Sequence, residues 1–532
     1  MVRYIFMLLT LSLTIQAYSQ EAENQRIKQY LNNPNNKNLL KVDGIQLFST
    51  EVLPRFYEKI NYQPVWRDTT LVMEAGQILA QSWREGLDPQ DYHLEALKEL
   101  VDSQDPEKKA AFDIILTDAM LMYSSHLYYG KVNPKTLNPA WNYDKKSLSG
   151  DPVSLMEKAM ESQDLKGVLK NLEPKIGQYA LLKKALLKYS LMDDMGGWKS
   201  LPSSLVVKPE TKGEKVKLLV ERLESEGYLE MGYESDSVDD TLLNSIKYFQ
   251  KDHGLDADGV VGKATVRAMN IPVSFRLDQI KANMERSRWV NTEKGFDDFL
   301  VVNIPSFSLY YLRDDTVNWT TRVVVGKKYT MTPVFQAEMK YVEFNPTWTL
   351  PRSIATKEVL PKLKRDPNYL KNRNMVLLTH SGKEVDQNSI NWQDYNARNF
   401  PFIIRQEPGT HNALGRVKFI FPNPYSVYLH DTPSKTLFLR STRAFSHGCV
   451  RVQDPIMLAL LILMEDQQMT QEQINKILDT DMTKRVYLKS ELPVMMMYWT
   501  VLASGNQVFF FNDIYGRDTK LVKALSASPF RK

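Results

Sequence analysis

The hydrophobic period of this chain changes once, near residue 296, and that change limits the folds open to it. Before it, "AAFDIILTDAMLMYSSHLYYGKV", "PVSLMEKAMESQ" and "YALLKKALLKYSLM" repeat apolar residues at helical spacing, so residues 20–205 read as a mostly helical domain. Turn-rich "NNPNN" and "GLDPQD" separate the helices. After it, "DFLVVNIPSFSLYYL", "TRVVVGKKYTMTPVF" and "MKYVEFNPTWTLP" are rich in β-branched and aromatic residues and broken by Pro and Gly, which predicts strands. A helical half followed by a strand half predicts a multidomain α+β protein. The length of 532 residues suggests three or four domains, and an apolar fraction of 43% is ample for their cores.

The two halves are joined through a Pro/Ser/Lys-rich connector, "LPSSLVVKPETKGEKV", and a compact unit over 212–272. Its first helix carries Val216, Leu219 and Leu223 on one face and ends at Gly227. Asp239 or Asp240 caps a second, which buries Leu243, Ile246 and Phe249 and stops at Gly254; a glycine-punctuated loop feeds a third, Lys263 to Met269. A mainly-β domain is expected over 297–480, with a polar, partly helical insertion over about 350–405 capping its sheet. Asp454-Pro455 reads as an N-cap and N1 pair opening a helix whose apolar run, Ile456 to Met464, predicts burial all round. Residues 490–532 read as a hairpin, turning near Ser504-Gly505, and a tail.

At the N-terminus, Arg3, the apolar run Ile5 to Ile15 and Ala17-Tyr18-Ser19 form the pattern of a cleaved secretory signal over residues 1–19. The run is too short for a stable membrane span, and no cysteine stands at the cleavage point to carry lipid. An exported chain meets an oxidising compartment, and this one has a single cysteine, Cys449, so no intramolecular disulfide can form. Such a thiol must be buried or chemically used. Lys and Arg number 68 against 63 Asp and Glu, a net +5, and no basic run is interleaved with aromatics. That balance argues against a nucleic-acid partner. His93 and His126 stand alone among apolar neighbours and read as core.

Cys449 lies in "RAFSHGCVRV". A free thiol with a pKa of about 8.5 is mostly protonated at neutral pH, so a nucleophilic cysteine needs a base within hydrogen-bond reach, and histidine has the matching pKa. His447, at i−2, shares a face with Cys449 on an extended segment and can line the site, but it is poorly aimed for proton transfer. His430 ends "YSVYLHD", a strand able to pair with "CVRV" and present its ring across the gap, so geometry favours it as base. Asp431, through its carbonyl or carboxylate, is the natural orienter of that ring. Gly448 lets a substrate carbonyl approach, and the amides near Gly448 and Cys449 are candidate oxyanion donors. Trp348, Tyr341 and Tyr428 are aromatics able to stack on a substrate, with core packing as the competing reading. Arg416 and Lys418 read as a solvated strand face, and His411 as a pocket border or a surface loop.

Two segments resemble known families. Phe249 to Thr265, with "FQ…GL…DG..G..T", resembles the three-helix peptidoglycan-binding module, which implies affinity for wall glycan or peptide. "YLHDTPSKTLFLRSTRAFSHGCVRV" resembles the L,D-transpeptidase motif: His430, fifteen residues, then Ser446-His447-Gly448-Cys449-Val450-Arg451. "FNPTWTLPRSIATKE" and "NALGRVKFIFPNPYSVYLHDTP" resemble the large periplasmic branch of that family, with its helical scaffold and capping insertion. The resemblance implies cysteine acyl transfer on peptidoglycan stem peptides, releasing D-alanine and forming 3→3 cross-links. Cys449 would be the nucleophile, His430 the base and Asp431 the orienting residue. His447, Gly448 and Ser446 would shape the pocket and oxyanion site with Tyr428 and Trp348, and Arg451 would grip a carboxylate or brace the loop. It also implies no metal or organic cofactor, inhibition by carbapenem-type β-lactams, a Gram-negative periplasmic location and a role beside other cell-wall enzymes.

Four other readings compete: an inert buried cysteine, a zinc site from His430, His447 and Cys449, an L,D-carboxypeptidase trimming the same stems, and a wall-binding protein with a decayed catalytic domain. A bound zinc would want three ligands and an open fourth position.

Overall fold

The computed structural model describes residues 21–32, 40–137, 141–142, 146, 151–290, 298–314 and 316–530. The secretory signal expected over 1–19 lies outside the described residues, among which no helix is long and apolar enough to cross a membrane.

The helical half is organised around Pro106–Tyr129, which Asp105 caps by accepting from the Glu107 amide and Pro106 opens at its first position. Apolar residues lie all round this helix because others wrap it, including Val52–Lys59, Thr69–Ala80 and Pro152–Ser162. Its buried acids are used as struts: Asp118 accepts from the amides of Phe48 and Ser49, and Asp113 from those of Val65 and Trp66.

The next unit has three helices, Glu214–Glu226, Asp240–Asp252 and Lys263–Met269. Asp239 takes the capping role, accepting from the Leu242 amide. The Gln250 side chain bonds Asp258, the Val260 carbonyl and the Gly259 amide, so the "FQ…DG" spacing closes a loop onto a helix.

Residues 273–289 lie between the units expected over 212–272 and 297–480. They form a buried helix, Val273–Trp289, against Gly177–Asp194 and the C-terminal hairpin Val501–Ser504/Gln507–Phe510. Two of its buried cations are paired, Arg288 with Glu285 at 2.9 Å and Arg286 with Asp518 at 2.5 Å, which offsets the cost of burying them. Val273, Leu277, Ile280 and Met284, at helical spacing, form its apolar stripe in the same core.

The strand half forms a closed sheet from β1 (Asp298–Asn303), β2 (Ser308–Arg313), β3 (Thr316–Gly326), β4 (Val334–Phe344), β5 (Val417–Ile420), β6 (Leu429–His430), β7 (Ala444–Ser446), β8 (Val450–Val452) and β9 (Lys484–Met497). The order β5-β6-β8-β3-β2-β1-β9-β4 returns to β5 through the β4–β5 pair, while β7 runs parallel to the end of β3. Closure leaves the ring without free edges. Val323, Val325, Val342, Phe344, Val417, Phe419, Leu429, Val450 and Val452 fill its inside. The two-residue period then turns Lys418, His430 and Arg451 outward.

Three expectations need correction here. β9 crosses the boundary drawn between a domain ending at 480 and a tail beginning at 490, since "MMM" pairs with β1 and belongs to the sheet. The helix Pro455–Gln467 is not buried all round: it closes the barrel with Leu458, Ala459, Ile462 and Leu463 while Met457 and Met464 face solvent. Asp454 stands at its N-cap position, but its carboxylate accepts from the Thr321 hydroxyl instead of a helix amide. The insertion has a core of its own, including Leu360, Leu363, Trp392 and Ile404, and contains a four-stranded sheet that includes Trp348–Thr349 and Ile403–Gln406.

Candidate active site

Strand register assembles the site. β6 is antiparallel to β5 with His430 opposite Lys418, and parallel to β8 with His430 opposite Arg451. The imidazole therefore sits between two cations on the outer face of the barrel. Tyr428 is two residues before His430 and shares its face; the two rings are 5.6 Å apart. The Lys418 ammonium lies 4.3 Å from the Tyr428 ring centre.

Cys449 stands at the foot of β8, where the Val450 amide donates to the Tyr428 carbonyl at 3.1 Å. Its thiol reaches the Ser426 carbonyl at 3.6 Å and is hydrogen-bonded by the Tyr428 hydroxyl, which accepts from Trp348 of the insertion. Burial pushes the Cys449 thiol up from its usual range, while the Tyr428 bonds and the charges of Lys418 and Arg451 pull it back part of the way. The resting side chain is a thiol.

His430 is 5% exposed, and burial, reinforced by Arg451 and Lys418, lowers its pKa to about 3. The ring is neutral at pH 7. Its Nδ1 is 2.5 Å from the Asp431 carbonyl oxygen, which fixes the ring's orientation. Of the two ways Asp431 was expected to act, the structure uses the carbonyl. Its carboxylate is spent elsewhere, accepting from the Arg416 amide, the Thr432 amide and the Lys435 ammonium. Gly415 makes that approach feasible: φ is +63°, and a Cβ there would stand 2.2 Å from Asp431 Oδ2.

The turn before Cys449 is held from within. The buried Ser446 hydroxyl donates to the Cys449 carbonyl and accepts from the Gly448 amide at 3.1 Å. Gly448 takes φ +120°, which favours glycine, and Thr332 donates to its carbonyl. The oxyanion expectation is narrowed accordingly. The Gly448 amide is engaged by Ser446, whereas the Cys449 amide has no described acceptor and is the available donor. His447 points away from the sheet into the insertion, where its Nε2 lies 3.0 Å from Glu358.

Other expected residues fall outside this group. Tyr341 packs on Tyr487 at 5.0 Å, His411 is exposed on its loop, and Arg416 binds Asn345 and Asp481. The trio His430, His447 and Cys449 does not form a ligand set; among the described residues no group of three His, Cys, Asp or Glu side chains could hold a metal. Sequence reasoning missed Lys418, read as solvated but half-buried over Tyr428. It also missed Ser426, in the left-handed region at φ +55°, and Glu358. Only the β5–β6 register would have revealed Lys418.

Comparison with known proteins is consistent across the chain. Residues 51–186 match the family model described as a scaffold domain, 212–269 the "Putative peptidoglycan binding domain", and 297–472 the L,D-transpeptidase catalytic domain. A chain from Haemophilus influenzae named "Putative L,D-transpeptidase" is 37% identical over 243 residues, covering 46% of this chain and 48% of that one. The match thus spans about half the length of that curated relative. A solved L,D-transpeptidase from Stackebrandtia nassauensis is 15% identical, covering 55% of this chain and 97% of that one, with a TM-score of 0.21, too low for a comparison of folds. The closed sheet bearing Cys449 and His430 is thus an L,D-transpeptidase catalytic domain, carried in one chain with a scaffold domain and a peptidoglycan-binding domain.

Proposed function

We propose that this protein is an exported enzyme that makes 3→3 cross-links in peptidoglycan by acyl transfer through Cys449. The observation that carries this reading is the packing of one thiol, one neutral histidine oriented by a backbone carbonyl, and two cations on adjacent strands. As His430 takes the thiol proton, the sulfur attacks the carbonyl joining stem residue three to D-alanine. The C–S bond forms, the C–N bond breaks, and His430 returns the proton to the departing amine. An acceptor amine then attacks the thioester, gives its proton to His430 and restores the thiol. Lys418 and Arg451 stabilise negative charge on sulfur and face the donor's terminal carboxylate. The Cys449 amide donates to the oxyanion, and Trp348 with Tyr428 forms one wall. Carbapenem-type β-lactams, strained amides, acylate the same sulfur. A periplasmic location fits the leader pattern in residues 1–19, and work beside other cell-wall enzymes fits a polymeric substrate.

The test is digestion of tetrapeptide-rich muropeptides by wild type beside Cys449→Ala, read by mass spectrometry. Loss of D-alanine with 3→3 dimers in the wild type alone supports the proposal. Loss of D-alanine without dimers replaces it with carboxypeptidase trimming. No change in either sample, with muropeptide binding intact, leaves a wall-binding protein.

A further inference from the structure

A cleft of about 410 Å³ opens between the peptidoglycan-binding domain and the barrel, away from Cys449. One wall is the last turn of the helix Asp240–Asp252, with Lys251, and the loop after it, with Asp256 in the "GLDADG" stretch whose Asp258 and Gly259 are structural. The other wall is the barrel, with Phe307, Arg322 and the segment Arg440 to Arg443. Four cations thus face one carboxylate. None of Lys251, Arg322, Arg440 and Arg443 has an ion pair within 4.0 Å among the described residues, although most cations in the interior of this chain are paired. Arg443 lies deepest, donating to the carbonyls of Arg440 and Phe307 while its buried Nε has no partner. Burial and the neighbouring Arg322 lower its pKa to about 10, so the cleft favours an incoming anion.

We propose that this cleft is a second substrate-binding site, which takes a carboxylate-bearing peptide of a neighbouring wall strand and holds it beside the catalytic turn. The proposal rests on the reading of the barrel as acting on peptidoglycan. Arg443 runs directly into β7, and its carbonyl accepts from Val325 on β3, so the cleft wall and the catalytic turn are one rigid segment. Cys449 is six positions after Arg443, a span of at most about 22 Å even when extended. A strand gripped by its carboxylates in the cleft therefore stays within a stem peptide's reach of the sulfur. The peptidoglycan-binding domain supplies half of this grip, so its docking on the barrel creates a site that neither domain has alone.

The test uses the full chain carrying Cys449→Ala, with and without Lys251→Glu and Arg440→Glu, co-sedimented with purified sacculi whose peptide carboxylates are free or amidated. Both altered side chains are exposed, so folding is preserved. Charge reversal is expected to weaken binding to native sacculi roughly tenfold. Amidation should weaken the parent chain equally and leave the reversed chain unaffected. With Cys449 present, turnover of a small soluble tetrapeptide should not change. Unchanged binding, a loss that persists on amidated sacculi, or a loss of soluble-peptide turnover overturns the proposal. If the wild-type chain processes no tetrapeptide at all, the acyl-transfer reading fails, and sedimentation still decides the cleft.

Discussion

His253 in the peptidoglycan-binding domain and His430 in the barrel are near twins by their own properties. Both are buried, both have Nδ1 bonded to a backbone carbonyl (Phe249 and Asp431), and burial lowers both to a pKa of about 3. Their neighbours differ. His253 is stacked between Phe249 and Phe510, with ring centres at 3.9 Å and 5.6 Å, and its Nε2 faces Glu226. His430 stands beside a thiol-bearing strand between Lys418 and Arg451. A perturbed histidine is therefore not a site in itself. Packing alone explains the first, while the second lies beside the thiol of Cys449 and between two cations on adjacent strands.

The strongest way to break this comparison is to remove each ring. His430→Gln should lower turnover by about 10²- to 10⁴-fold while the fold persists. His253→Gln should leave soluble-peptide turnover intact and cost about 1–3 kcal/mol of stability in denaturant titration. Equal kinetic losses would erase the distinction. Next is Gly415→Ala, which forces the Asp431 carboxylate away and with it the carbonyl that orients His430. It should cost at least about 1–2 kcal/mol from the positive φ alone and reduce turnover as well.

A milder test concerns charge. Lys418→Met removes a cation that favours the Cys449 thiolate, so iodoacetamide labelling at pH 8 should slow by about two- to fivefold. Faster labelling would mean that the ammonium does not act on the sulfur. The twins also share an acid signature. Unfolded histidine binds its proton near pH 6.5 and each folded ring only near 3, so the unfolded state holds more protons in that window. Stability is full above about 6.5 and is lost as pH falls toward 3. Either glutamine variant should flatten that slope. Asp252, raised to about 6, acts in the opposite sense, so the comparison is wild type minus variant. The smallest effect belongs to Glu358→Gln, which breaks a solvent-exposed contact to His447 and should change KM by no more than about fivefold.

Much of the site was legible in the sequence because its parts lie in one short segment. Ser446 to Arg451 and His430 are separated by fixed spacing on strands that pair, and a lone cysteine drew attention to them. What was not legible depends on distant pairing. Lys418 becomes a site residue only because β5 lies beside β6, and Glu358 only because the insertion folds onto the turn. In the helix Val273–Trp289 the buried Arg286 is paired by the distant Asp518, and β9 reaches β1 across almost 200 residues of sequence. Local pattern carries no information about such partners.

The most direct measurement is intact-mass spectrometry of the full chain incubated with a tetrapeptide donor and no acceptor amine, quenched in acid, followed by peptide mapping. The account predicts a mass increase equal to the donor minus D-alanine, localised to Cys449 and absent in Cys449→Ala. An adduct on any other residue, or an adduct that persists in Cys449→Ala, would contradict it.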